Sequence, residues 1–192
     1  MNMKKISVLV LVLLFLTISS GVMAQTPGYF EAKLGLETFG NGDISYQGFS
    51  YDDDTDAGIS LTGEYKVPLK NNQWTFGGGL NYQFGRAIDN PGAEDFNFTS
   101  FYGLAQYDMV DSPIYLLGKL GYNTLNLDNI PSGADENGGL YYGLGAGVNF
   151  GENNQYVFEA LYSVNNGELE ETNGDTYDFD YSSFALSLGM KF

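Results

Sequence analysis

The run Asp52-Asp53-Asp54-Thr55-Asp56 sets carboxylates at alternate positions, as the opening of a calcium-binding loop does. An EF-hand loop continues with a glycine at its sixth position and a bidentate glutamate at its twelfth. Those positions hold Ala57 and Gly63, so the run is not an EF-hand. Asp52, Asp54 and Asp56, joined by Asp175, Asp178 and Asp180, are the candidate ligands of a looser divalent-cation site. The competing account, and the one expected, is a solvated, self-repelling loop set that keeps one end of the molecule soluble. A second set mixes both signs: Glu31, Lys33, Glu37, Glu64, Lys66, Lys119 and Glu159. Facing one another, these side chains would either line a narrow pore or pair into a plug. Catalysis has little to work with. The chain has no His, so a Ser-His-Asp arrangement cannot exist, and no Cys, which removes thiolate chemistry, disulfides and lipid attachment through cysteine. Glu170-Glu171 is an acidic pair in a polar stretch, where charge runs are usually just solvated. No enzyme and no cofactor is expected.

The bulk composition narrows the class. With 24 acidic against 8 basic residues, and a formal net charge of −16, there is no basic face for nucleic acid. The 26 glycines would spoil a helical domain, and 15 Tyr with 14 Phe speak against disorder. Together they suit strands with crowded faces. At the start, Lys4 and Lys5 precede a run from Ile6 to Ile18 that is apolar apart from Ser7 and Thr17. Val22-Met23-Ala24 then supplies a small-residue cleavage site. This reads as a secretory signal peptide, residues 1–24, cleaved after Ala24. The apolar run is short for a spanning helix, which needs about 20 residues. The mature domain would be 25–192, a single domain.

The elements that must position these side chains follow from periodicity. Segments 29–39, 57–67, 74–85, 96–109, 114–124, 140–150, 156–164 and 181–192 each alternate apolar and small or polar residues at period two. In the third, Trp74, Phe76, Leu80, Tyr82 and Phe84 oppose Thr75, Gly77, Gly79, Asn81 and Gln83. The fourth is ambiguous: Phe101, Ala105, Tyr107 and Met109 form the apolar set, which leaves Tyr102 and Leu104 on the polar side, and a bulge is expected to resolve the conflict. The connections alternate between long (40–56, 86–95, 125–139, 165–180) and short (68–73, 110–113, 151–155). The expected fold is an all-β, eight-stranded antiparallel up-and-down transmembrane β-barrel with both termini at the short-turn end.

Alternation alone does not say which face looks outward, and a soluble periplasmic barrel around a ligand has the same strand count. An eight-stranded barrel has an interior just wide enough for side chains. The set rich in Phe, Tyr and Leu would overfill it, whereas the glycine-bearing polar set fits. Aromatics also gather near strand ends on the apolar face, as interfacial girdles do. The apolar face is therefore expected to meet lipid and the charges to meet each other inside a plugged lumen.

The last strand, Ser183-Phe184-Ala185-Leu186-Ser187-Leu188-Gly189-Met190-Lys191-Phe192, and the run Tyr142-Gly143-Leu144-Gly145-Ala146-Gly147-Val148 resemble the small outer-membrane β-barrels of the OmpA/OmpX kind. The resemblance spans the mature chain. It implies a place in the outer membrane of a Gram-negative cell, with Leu188, Met190 and Phe192 as the signal read by the barrel-assembly machinery. It also implies contact with outer-membrane lipid and lipopolysaccharide, and a monomer. Members include adhesins, membrane–wall linkers and narrow channels, so the activity stays open. A non-enzymatic barrel presenting acidic extracellular loops, for surface interaction or envelope integrity, is the leading expectation. A low-conductance, porin-like pore for small solutes comes next, and a soluble ligand-binding barrel last.

Overall fold

A computed structural model describes residues 27–46, 49–70, 73–85, 96–127, 135–170 and 175–192. The signal peptide with its cleavage site, and the connection 86–95, lie outside the described residues. Among the described residues the strands are β1 (Tyr29–Tyr46), β2 (Phe49–Thr55), β3 (Gly58–Pro68), β4 (Trp74–Gln83), β5 (Phe96–Asp108), β6 (Ile114–Leu127), β7 (Asp135–Phe150), β8 (Tyr156–Glu170) and β9 (Thr176–Lys191). All pairings are antiparallel, and β1 closes on β9. Since β2 and β3 continue one frame along β1, with Gly40 opposite Thr55 and Glu37 opposite Gly58, they are one wall strand interrupted at Asp56-Ala57. The closed wall therefore has eight strands, as the periodicity predicts. Closure is completed by Phe192 N–H donating to Phe30 O (2.8 Å) and Phe30 N–H donating to Phe192 O (3.2 Å). An open edge would leave such groups unpaired in hydrocarbon, at several kcal/mol each.

The faces fall as the alternation requires. Leu34, Leu120, Leu144 and Leu188 point outward and are 59%, 55%, 72% and 59% exposed. Rings cluster around them near the strand ends: Trp74 against Phe76 and Tyr107, and Phe150 against Tyr156, by the short turns; Tyr82 against Phe84 at the other rim. The polar set is buried inside. With the greasy face outermost, the soluble ligand-binding barrel is overturned.

The long connections differ from expectation. Much of 40–56, 125–139 and 165–180 is strand, because β1, β6, β7, β8 and β9 run on beyond the girdle. The cause of the misreading is a phase switch. In β9, Phe184, Leu186, Leu188 and Met190 look outward, whereas nearer the outer end the apolar Phe179 and Tyr181 are buried inside and Asp178 and Asp180 are exposed. Against β8 the register of β9 runs unbroken through both stretches; against β1 it shifts by one residue between them, where β1 carries the extra residue. The surrounding medium changes from lipid to water, so the apolar side chains move to the inner face.

The expected bulge in the fourth segment is absent: β5 keeps one register against β4 and against β6. Tyr102 and Leu104 are simply inward, at 6% and 4% exposure. Bulges occur instead in β1 against β9, between Thr38 and Asn41, and in β7 against β8, between Gly138 and Tyr141. In β1, Phe39 takes a φ of 51° and turns outward, 88% exposed. Gly40 follows, where a Cβ would run into Thr55 Oγ1 and the Tyr181 hydroxyl unless those side chains moved. In β7, Asn123 stitches the bulge: its Oδ1 accepts from Gly139 N–H (3.1 Å) and its Nδ2 donates to Leu140 O (3.2 Å).

Candidate functional site

Period-two geometry sends Glu31 and Lys33 of β1, Glu64 and Lys66 of β3, Lys119 of β6 and Glu159 of β8 into the lumen, and the strand order brings them to one level. Lys33 Nζ lies 2.9 Å from Glu64 Oε2, 2.8 Å from Glu159 Oε2 and 3.2 Å from Glu31 Oε1. Lys66 Nζ is 2.8 Å from Glu31 Oε1 and 3.0 Å from Glu64 Oε2, and it donates to Gln106 Oε1. Lys119 Nζ bridges Glu64 Oε1 (2.8 Å) and Glu159 Oε1 (3.0 Å). Tyr102 and Tyr115 donate hydroxyls to Glu64 and Glu159 at 2.7 and 3.2 Å. Every carboxylate touches a lysine and every lysine touches a carboxylate, so the ensemble is neutral. An unpaired ion in this place would carry a large desolvation cost.

Glu31, Glu64 and Glu159 are also the described carboxylates whose oxygens approach within 4.8 Å of one another, as metal ligands do. The three ammonium groups sit against those oxygens, where a cation would go. The arrangement is a salt-bridge plug rather than a metal centre.

Glu37, grouped with these charges by sequence, stands apart, nearer the outer end. It accepts two contacts from Gln83 Nε2 (2.9 and 3.2 Å) and one from Ser183 Oγ (3.1 Å). Between the two levels a cavity of about 10 Å³, lined by Glu37, Lys119, Glu159 and Tyr141 among others, has room for about one water. Farther out, Phe96, Phe98, Leu125, Phe179 and Tyr181 fill the lumen, with ring centroids of Phe96 lying 5.1 Å from Phe179 and 5.2 Å from Tyr181. Ile44 and Leu127 pack over this cluster. The lumen is thus obstructed twice, by an ionic layer and by an aromatic one.

The candidate cation ligands fare differently. Asp52 and Asp54 belong to β2, an extended strand that cannot curl around an ion as a calcium loop does. Asp52 stands opposite Asp43, and Asp54 opposite Asn41. Asp56 is exposed in the break that follows. Asp180 stands opposite Asp43 and Asp178 opposite Ser45, while Asp175 precedes β9. Among the described residues these aspartates form no metal-sized carboxylate group.

Leu188, Met190 and Phe192 lie on the lipid face of the closing strand, 59%, 38% and 68% exposed, with the Phe192 ring 6.4 Å from Phe30 across the seam. Sequence reasoning missed the neutral partners of the plug, Tyr102, Tyr115 and Gln106, and the inner aromatics Phe96, Phe98, Phe179 and Tyr181. Parity had already placed Tyr102 inside. The other rings sit at lumen positions of their strands, but an aromatic there reads against the polar pattern.

A family model for the outer membrane protein beta-barrel domain matches residues 9–192. The chain belongs to that family. This outer-membrane barrel is similar in fold to Ail, the attachment invasion locus protein of Yersinia pestis, at 16% identity with a TM-score of 0.54, covering 86% of this chain and 99% of that one. A second Ail structure, bound to the heparin analogue sucrose octasulfate, matches at 20% identity with a TM-score of 0.54 over 86% and 99% of the two chains. Neisserial surface protein A gives 18% identity and a TM-score of 0.51 over 86% and 97%. No curated protein matches the sequence. The outer-membrane barrel family locates the protein in the Gram-negative outer membrane.

Proposed function

We propose that this outer-membrane barrel is a non-conducting, non-enzymatic surface protein whose β-sheet, continued beyond the lipid, presents an acidic exterior for interaction with other surfaces. The observation that carries the reading is the doubly obstructed lumen, the Glu–Lys layer and the Phe96–Phe98–Phe179–Tyr181 layer. A pore for small solutes would need both to open. The absence of histidine removes a Ser-His-Asp arrangement, and the buried carboxylates are held by lysines in the plug, which supports a role without catalysis. Ail was seen with a polysulfated sugar; that ligand class does not transfer to a chain of net charge −16. On this reading the protein works as a monomer in contact with outer-membrane lipid and lipopolysaccharide, and Leu188, Met190 and Phe192 form its address for the barrel-assembly machinery.

Planar-bilayer recording of the refolded mature chain tests the proposal. The expected record is a baseline without discrete steps. Reproducible unitary steps, enlarged by Glu159→Ala, would establish the pore instead.

A further inference from the structure

Two amide groups deep in the lumen each lack one hydrogen-bond partner. Among the described residues, Gln83 Oε1 and Asn165 Nδ2 are buried and unbonded, on residues that are 1% and 0% exposed. Turning either amide over does not cure this. Gln83 Nε2 donates to both oxygens of Glu37, at 3.2 and 2.9 Å, so a turned amide would set its own oxygen against a carboxylate. Asn123 is fixed by the backbone of β7: its Oδ1 accepts from Gly139 N–H and its Nδ2 donates to Leu140 O. The same Nδ2 lies 3.4 Å from Asn165 Oδ1, which also accepts from Ser100 Oγ at 3.0 Å. Asn165 must therefore present its oxygen there and keep its Nδ2 spare. One spare acceptor and one spare donor remain, and a buried polar group without its hydrogen bond costs free energy.

Both groups border the small cavity between the ionic and aromatic layers. Glu37, which holds Gln83, lines it, and so does Ser60, opposite Gln83 on β3. Tyr141, opposite Asn165 on β7, and Ser163, two residues away on β8, line it as well. We propose that this cavity is a specific site for immobilised water, which donates to Gln83 Oε1 and accepts from Asn165 Nδ2. The volume of about 10 Å³ suits one molecule. Water both donates and accepts, as the unlike pair of spare groups requires. An ion of either sign is opposed by the cavity wall, where Lys119 repels a cation and Glu37 and Glu159 repel an anion. The site is closed at both ends. Lys119 and Glu159 belong to the ionic layer on the inner side, and Tyr181, opposite Asn165 on β9, belongs to the aromatic layer on the outer side. Exchange with bulk water then requires one layer to give way. The site is independent of what the outer surface of the barrel binds.

The test is water-to-methyl NMR on the refolded mature chain in nanodiscs, deuterated except at alanine and leucine methyl groups. Ala185 and Leu161 line the cavity, and Leu125 lies in the aromatic layer. Methyl protons do not exchange with water, so a cross-peak to water reports proximity alone. Ala185 and Leu161 are expected to show nuclear Overhauser peaks at the water frequency, with the sign of a water that tumbles with the protein. The Leu125 peak is expected to be at most about a tenth as strong, because an apolar enclosure stays dry. Ala185→Leu, which fills the cavity, should remove the Leu161 peak while the heat-dependent gel shift of a folded barrel persists. Should that variant fail to fold, Ser187→Val at the same cavity gives the same reading. No water peak at Ala185 and Leu161 in the unaltered protein would overturn the proposal. So would a Leu125 peak as strong as theirs, which would mean that bulk water enters from the outer end. A Leu161 peak that survives the filled cavity would overturn it too.

Discussion

Glu64 shows what the interior asks of one residue. It is fully buried and touches Lys33, Lys66, Lys119 and the Tyr102 hydroxyl. Glu64→Gln would leave three lysines facing two carboxylates at that level, and breaking a buried pair on one side costs about 3–5 kcal/mol. Urea unfolding in lipid vesicles, followed by the fluorescence of Trp74, the sole tryptophan, should show a loss of that size. Adding Lys66→Met should restore part of it, because the charge balance returns; a double variant as weak as the sum of its parts would refute the coupling. The charges themselves were legible: Glu31, Lys33, Glu64, Lys66, Lys119 and Glu159 share the parity of glycines and hydroxyl residues. Their partners were not, since contacts such as Lys33 with Glu159 cross strands far apart in sequence. Nor could parity separate Glu37, whose height along β1 sets it with Gln83 and Ser183.

For single elements, the instructive case is β9. Period two survives along its whole length, but the apolar phase changes between Tyr181 and Phe184, which breaks the pattern as read from sequence and makes 176–180 look like loop. Backbone pairing on both sides, with β1 and with β8, makes it strand. Amide exchange should therefore be slow at Phe179 and Tyr181, comparable with Leu186 and Leu188; exchange as fast as in an open loop would contradict the extension. The same switch explains β5, where Phe98 is inside and Phe101 outside with no bulge between them. It also explains why the Asp52–Asp56 run looked like an ion-binding loop: alternating carboxylates mark an exposed strand face as readily as a ligand set.

At the scale of the molecule, the lipid belt sets the energetics. Leu144 is the most exposed leucine of β7, midway between the rims. Leu144→Arg should destabilise the barrel by about 2–4 kcal/mol, the cost of a cation near the bilayer midplane of a transmembrane barrel. Asp180→Arg, beyond the belt, should cost far less, because water reaches it. Equal losses in vesicle unfolding would mean that the belt is misplaced.

The sequence by itself determined the strand count, the inward parity of the charges and the outward parity of Leu34, Leu144 and Leu188, because period-two alternation is a property of each strand alone and the narrow interior of an eight-stranded barrel admits only the glycine-bearing set. Closure, the neutral Glu–Lys layer, the aromatic layer at the outer end and the division of its polar and apolar faces were decided by the tertiary structure. Each depends on which strands neighbour one another and on where the surroundings change from lipid to water, and neither fact is written in any local stretch of residues.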